Sequence, residues 1–154
     1  MMSRFTGHEI SPRRGEYLRY ILEQGGMVKP TVLSVHFRVD PSTVTRTVEY
    51  LSREGFVDHA PYRVVTLTRK GREYAAFLLR RHRILGLVLS QHGLTSEEAC
   101  TQATRMEGFL PQPAVDKMCA SLGHPTVGIC GAIPPDVRCC SPIETGKRKR
   151  GDVP

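Results

Sequence analysis

Pro41, Ser42, Thr43, Thr45 and Arg46 form a set suited to contact with duplex DNA. Short hydroxyls hold phosphate oxygens, and an arginine in a major groove reads guanine with two hydrogen bonds. The plain alternative is an ordinary solvated helix face. A second set is softer: His124, Cys130, Cys139 and Cys140 bring four imidazole or thiol donors into 17 positions. Such donors can bind zinc or an iron centre, or act as a thiol sensor. Their spacing follows no standard zinc motif closely, and reduced cysteines in irregular chain are the default reading.

The first set needs a helix beneath it. Val44, Val48 and Leu51 recur at spacings of four and three, which makes one buried stripe opposite the hydroxyl face. Asp40 is placed to cap that helix, Pro41 suits its first turn, and Gly55 supplies a left-handed end. Upstream, Pro30 to Phe37 reads as a short helix with Val32, Leu33 and Val35 or His36 facing inward, separated from the next helix by Arg38-Val39-Asp40. Downstream, Phe56–His59 and Val64–Leu67 read as short strands around Ala60-Pro61-Tyr62-Arg63. Helix, tight turn, helix and hairpin make a winged helix. Arg63, at the hairpin tip, is then placed to touch phosphate or the minor groove.

From Arg72 to about Ser90 apolar residues cover more than one face of a long helix, and Arg80-Arg81-His82-Arg83 interrupts them. Such a helix needs two packing partners, one within the chain and one across a dimer interface. Thr95 and Glu98 predict a capping box for a helix that runs to about Phe109 and is stopped by Pro111. A shorter helix spans Ala114 to Leu122. Residues 128–154 read as mostly irregular, Cys/Pro-rich and then basic, with the last ten disordered.

Bulk properties agree with a DNA-binding domain. The 154 residues are 40% hydrophobic, enough for a core, and the net charge of +7 favours a polyanionic partner. Lys147-Arg148-Lys149-Arg150 and Asp152 supply +3 of that, so residues 1–146 carry +4. Neither a membrane span nor a signal peptide is visible, which predicts a cytoplasmic protein. Five cysteines are an odd number, and without an export signal they point to reduced thiols or metal ligands. No phosphate loop, nucleophile elbow or paired carboxylates suggest an enzyme.

Ser11-Pro12-Arg13-Arg14-Gly15-Glu16-Tyr17-Leu18, the hydroxyl-faced helix, Leu67-Thr68-Arg69-Lys70-Gly71, Arg81-His82-Arg83, Glu98-Ala99-Cys100, Arg105-Met106-Glu107 and Leu122-Gly123-His124-Pro125 stand in the order of landmarks seen in one family. Over roughly residues 11–135 the chain resembles the diphtheria-toxin-repressor family of metal-dependent regulators, in the short, manganese-regulator-like form without an SH3-like domain. The resemblance implies a mainly α protein: a winged helix-turn-helix DNA-binding domain over residues 1–71, an all-helical metal-binding and dimerisation domain over 72–127, and the tail 128–154. It further implies a homodimer that represses metal-uptake or homeostasis genes from an operator of inverted half-sites.

Carried over by position, the metal ligands are Glu16, His82, Cys100 and Glu107, a set able to hold manganese, iron or zinc. The implied mechanism is that divalent metal joins the first helix to the dimerisation helices and fixes the angle between domains. The chain also departs from the pattern. Gly86, Thr104 and Gly108 stand where relatives have ligands, and Arg19 stands where the manganese-type members are acidic. Two alternatives follow: a regulator that has lost metal sensing and responds to oxidation at Cys130, Cys139 and Cys140, or a winged-helix protein-interaction module.

Overall fold

The structure is a computed structural model that describes residues 5–60 and 63–140. Among these, helix α1 (Pro12–Glu23) opens the fold, capped by Ser11, whose hydroxyl accepts a hydrogen bond from the Arg14 amide. Strand β1 (Met27–Val28), helix α2 (Pro30–Phe37) and helix α3 (Pro41–Arg53) follow. Strands β2 (Val57–His59) and β3 (Val65–Leu67) complete the winged helix.

Helix α3 buries Val44, Val48 and Leu51 and leaves the hydroxyl face outside. Asp40 occupies the N-cap position with an extended backbone, but its side chain makes no capping hydrogen bond. The helix start therefore rests on Pro41, whose fixed φ and missing N–H suit a first position. Gly55, at φ +80°, ends it as expected.

Helix α2 departs from its expected inward face. Only Leu33 is buried, while Val32 and His36 are exposed and Val35 is 79% exposed. Eight residues present little more than one turn to the core. The rest of the face is closed by rings instead, with Phe37 stacked on Tyr17 and His36 stacked on Tyr20.

The hairpin becomes a three-stranded sheet in the order β1-β3-β2, because Met27 and Val28 pair antiparallel with Thr66 and Val65. Hydrophobic periodicity cannot reveal a two-residue strand, so β1 escaped the sequence reading. Pro61 and Tyr62, at the expected hairpin tip, lie outside the described residues.

Helix α4 (Arg69–Ser90) begins three residues earlier than expected. Thr68 caps it, accepting from the Gly71 amide at 3.1 Å and donating to the Gly55 carbonyl at 2.6 Å. Gly71 is needed there for close approach: a Cβ would meet the Phe56 carbonyl oxygen at 1.9 Å. One threonine and one glycine thus lock α4 onto the end of α3.

The apolar faces of α4 are covered within the chain by α1, by helix α5 (Ser96–Met106) and by helix α6 (Gln112–Ser121). Thr95 and Glu98 form the expected capping box of α5. A short 3-10 turn over Glu107–Phe109 joins α5 to α6. A single core runs from Leu18 and Val48 through Tyr74 and Ile84 to Val115 and Ile133, so the expected domains share one interior.

Residues 127–140 are more ordered than the irregular chain expected. Strands β4 (Val127–Gly128) and β5 (Gly131–Ala132) form a hairpin, and one helical turn, α7 (Val137–Cys140), follows. Several contacts hold the segment. Arg83 donates to the Ala132 carbonyl, Ile133 is buried in the core, and Asp136 accepts from the Arg138 and Cys139 amides. The expected disorder of the last ten residues falls outside the described residues. No helix among those described is long and apolar enough to cross a membrane.

Candidate metal centre and DNA-facing surface

His82 sits on the inner side of α4, 4% exposed, with a different partner on each ring nitrogen. Its Nδ1 lies 2.6 Å from Glu107 Oε2 and its Nε2 lies 3.3 Å from Cys100 Sγ. Helix α5 supplies Cys100, and the 3-10 turn that follows supplies Glu107. Cys130, at the turn of the β4–β5 hairpin, completes the group, with donor atoms of His82, Cys100 and Cys130 all within 4.8 Å of one another. Burial pushes the Cys100 thiol above its ordinary range, and the Cys130 thiol adds to the shift. One imidazole and two thiols suit a divalent ion of borderline or soft character, and a carboxylate on the far ring nitrogen is the usual support for a metal-binding histidine.

The donors group differently in space than in sequence. Cys130 is a sequence neighbour of His124, Cys139 and Cys140, but the hairpin turns it toward α4 and α5. Its place beside His124, Cys139 and Cys140 is taken by Cys119. Cys119 is fully buried in the last turn of α6, where a cysteine reads as one more small apolar residue.

Glu16 lies outside both donor groups. It is 48% exposed and paired with Arg13 at 2.9 Å, although it lines the same crevice of about 550 Å3 as Glu107. The tie between α1 and the site runs through Arg19 instead, whose Nη1 lies 3.3 Å from Glu107 Oε1. A basic residue in place of an acidic one thus closes a chain from Arg19 through Glu107 to His82.

The other departures have physical correlates as well. A Cβ at Gly86 would meet Ile129 Cδ1 at 3.3 Å, so the missing side chain makes room for the hairpin that brings Cys130. Thr104 donates to the Cys100 carbonyl at 3.0 Å. At Gly108, a Cβ would meet nothing within 4 Å.

On the candidate DNA-binding face, Pro41, Ser42, Thr43, Thr45 and Arg46 are exposed along α3, and Arg63 is exposed at the wing. Thr45 and Thr47 donate their hydroxyl protons to the carbonyls of Pro41 and Thr43. That leaves these two as acceptors and methyl groups toward a partner, whereas Ser42, Thr43 and Arg46 keep donors to offer.

A winged helix with an exposed hydroxyl and arginine face, locked to a helical body that carries clustered soft donors, defines a DNA-binding regulator with a metal-binding domain. Residues 9–65 match the family model described as the iron dependent repressor N-terminal DNA binding domain, and residues 68–135 that described as its metal binding and dimerisation domain. The chain belongs to the iron-dependent repressor family. It is 31% identical over 100 residues to an uncharacterised HTH-type transcriptional regulator of Methanocaldococcus jannaschii, covering 64% of this chain and 80% of that protein. It is 34% identical over 120 residues to the iron-dependent repressor IdeR of Mycobacterium tuberculosis, covering 75% of this chain and 52% of IdeR. The chain therefore spans about half of IdeR. Among solved structures, a hypothetical protein of Sulfolobus solfataricus superposes with a TM-score of 0.70 at 25% identity, covering 82% of this chain and 100% of that one.

Proposed function

We propose that this chain is a homodimeric, metal-responsive transcriptional repressor of metal-ion homeostasis genes in the cytoplasm, working by binding and not by catalysis. Pro41, Ser42, Thr43, Thr45, Arg46 and Arg63 contact operator DNA. His82, Cys100 and Cys130 are the metal ligands, Glu107 orients His82, and Glu16 stands aside. This donor set favours ferrous ion or zinc over manganese.

The observation that carries this reading is the chain Arg19–Glu107–His82, with contacts of 3.3 Å and 2.6 Å. When bound, the metal supplies a positive centre that makes it favourable to hold three donors together. Glu107 keeps the proton on His82 Nδ1, so the Nε2 lone pair stays turned toward Cys100. Cys100 and Cys130 give up their protons, which fixes the β4–β5 hairpin against α5. Arg19 carries the restraint on Glu107 into α1, and the Thr68–Gly55 contact carries the position of α4 to the end of α3. The recognition helices of two subunits are then held at the spacing of successive major grooves. Metal and DNA affinities are thereby linked, each raising the other by the same factor.

The test is an operator titration with metal-free protein, then with zinc, ferrous ion or manganese restored. Tighter binding with zinc or ferrous ion supports the reading. Equal operator affinity in metal-free and loaded protein rejects metal sensing, and absence of salt-dependent DNA binding rejects the regulator itself.

A further inference from the structure

Cys119, His124, Cys139 and Cys140 form a second donor group that shares no residue with the first, and their donor atoms all lie within 4.8 Å of one another. Three of the six separations match those of a tetrahedral coordination shell. Cys119 Sγ lies 3.5 Å from His124 Nδ1 and 3.7 Å from Cys140 Sγ, and Cys139 Sγ lies 3.7 Å from His124 Nδ1. A tetrahedral zinc with bonds of about 2.3 Å to sulfur and about 2.0 Å to nitrogen requires S···S near ~3.8 Å and S···N near ~3.5 Å. Four protein donors leave no open position, the mark of a structural rather than a catalytic or exchanging site.

The surroundings supply a second, independent indication. Arg80 is 2% exposed, and although Nη1 reaches Asp116 at 2.7 Å, its Nε and Nη2 have no hydrogen-bond partner among the described residues. Its charge acts on Cys119 and Cys139, and its side chain also hydrogen-bonds with Cys119. Asp116 pairs with this buried cation on one side, and on the other the guanidinium lies against the donor group, where negative charge is favoured. Three thiolates around a divalent ion carry a net charge of −1, which complements the side of the guanidinium that Asp116 leaves open. His124 is also held at φ +54°, a conformation non-glycine residues adopt rarely, with its amide on the Cys119 carbonyl at 2.9 Å.

We infer that Cys119, His124, Cys139 and Cys140 hold a permanently bound structural zinc ion that clasps α6 to α7. The clasp closes the loop from His124 to Cys139, and Cys130 lies within that loop. It therefore holds the third donor of the His82 site in place while taking no part in metal sensing.

The test uses the full chain carrying Cys100→Ala and Cys130→Ala, grown with zinc and dialysed against EDTA. About one zinc per chain is expected to remain. Exchange to cobalt should give the intense visible bands and thiolate charge transfer of a tetrahedral sulfur-rich site, weakened by a further Cys139→Ser. As a check independent of whether variants fold, parent protein stripped of exchangeable metal by EDTA should release about one zinc per chain, read with a chromophoric zinc indicator, when an organomercurial caps Cys119, Cys139 and Cys140. Loss of all zinc in EDTA, a cobalt spectrum without thiolate charge transfer, or a Cys119–Cys140 disulfide seen as hydrogen loss in the intact mass would each overturn the inference. DNA binding is not among the readouts, so the regulatory reading stands or falls separately.

Discussion

Glu107 Oε2 accepts a hydrogen bond from His82 Nδ1 over 2.6 Å, with the two side chains 13% and 5% exposed. An ionised carboxylate can only accept, so the Nδ1 nitrogen carries the proton and Nε2 is left to face Cys100. This arrangement leaves Nε2 as the ring nitrogen that faces the thiols, with the carboxylate supporting the ring from its far side.

Glu107→Gln tests that support. The amide oxygen can still accept from Nδ1, so the fold is retained, but the negative charge facing the ring is gone. Affinity for zinc or ferrous ion, measured by competition with a chromophoric chelator, should fall about 10–100-fold. Parent-like affinity would remove Glu107 from any orienting role.

Arg19→Met separates sensing from binding. The Arg19–Glu107 pair is partly solvated, with side chains 25% and 13% exposed, so its loss should cost no more than about 1 kcal/mol of stability. Metal affinity should change only a few-fold. The ratio of operator affinities with and without metal should instead fall toward unity. An intact ratio would mean that the coupling runs by another route.

Metal affinity should also depend steeply on pH, and the sign is fixed by Cys100. Burial, then the neighbouring Cys130, raise the Cys100 thiol above its ordinary range, so at neutral pH it is protonated in the metal-free protein. Loading must expel that proton, so affinity rises with pH by about tenfold per unit for each proton released. The slope of log affinity against pH, measured by calorimetry in buffers of different ionisation enthalpy, counts those protons. A flat profile would exclude thiolate ligation.

The winged helix was legible in sequence because its signals are local: the Val44, Val48, Leu51 stripe, Pro41 and Gly55 all act within a few turns of chain. The metal site was legible only in part, because its members meet through tertiary structure. His82, Cys100 and Glu107 were named by resemblance. Cys130 was assigned to its sequence neighbours because nothing local marks a hairpin as short as Val127–Ala132. Arg80 and Arg81 read as an interruption of an apolar helix, yet they are buried in the core, where Asp116 and the Leu110 carbonyl accept from them. Burial of a charge becomes visible only when its partner is.

Two glycines of α4 should respond oppositely to the same change. At Gly71 an added Cβ meets the Phe56 backbone carbonyl at 1.9 Å, and backbone cannot step aside. Gly71→Ala should cost about 1–3 kcal/mol or more in urea unfolding and loosen the wing. At Gly86 the nearest atom is the mobile end of Ile129 at 3.3 Å, so the helical gain of roughly 1 kcal/mol for alanine over glycine offsets the crowding. Gly86→Ala should leave stability within about 1 kcal/mol of the parent. Equal losses at both positions would contradict the packing described at α4.

The exposed face of α3 makes a graded prediction, because its hydroxyls are not equivalent. Thr45 already spends its proton on the Pro41 carbonyl, so Thr45→Val keeps the outward methyl and should change operator affinity little. Ser42 makes no such bond among the described residues, and Ser42→Ala should remove a donor available to phosphate. Arg46→Ala should cost about 1–3 kcal/mol and relax specificity at one base pair if the guanidinium reads a base. If it holds phosphate, the loss should be even across sequences and the salt slope should fall by about 1. Titrations of matched and single-mismatch operators at several salt concentrations distinguish these outcomes. Full affinity and an unchanged slope in Arg46→Ala would place the DNA on another face of the domain.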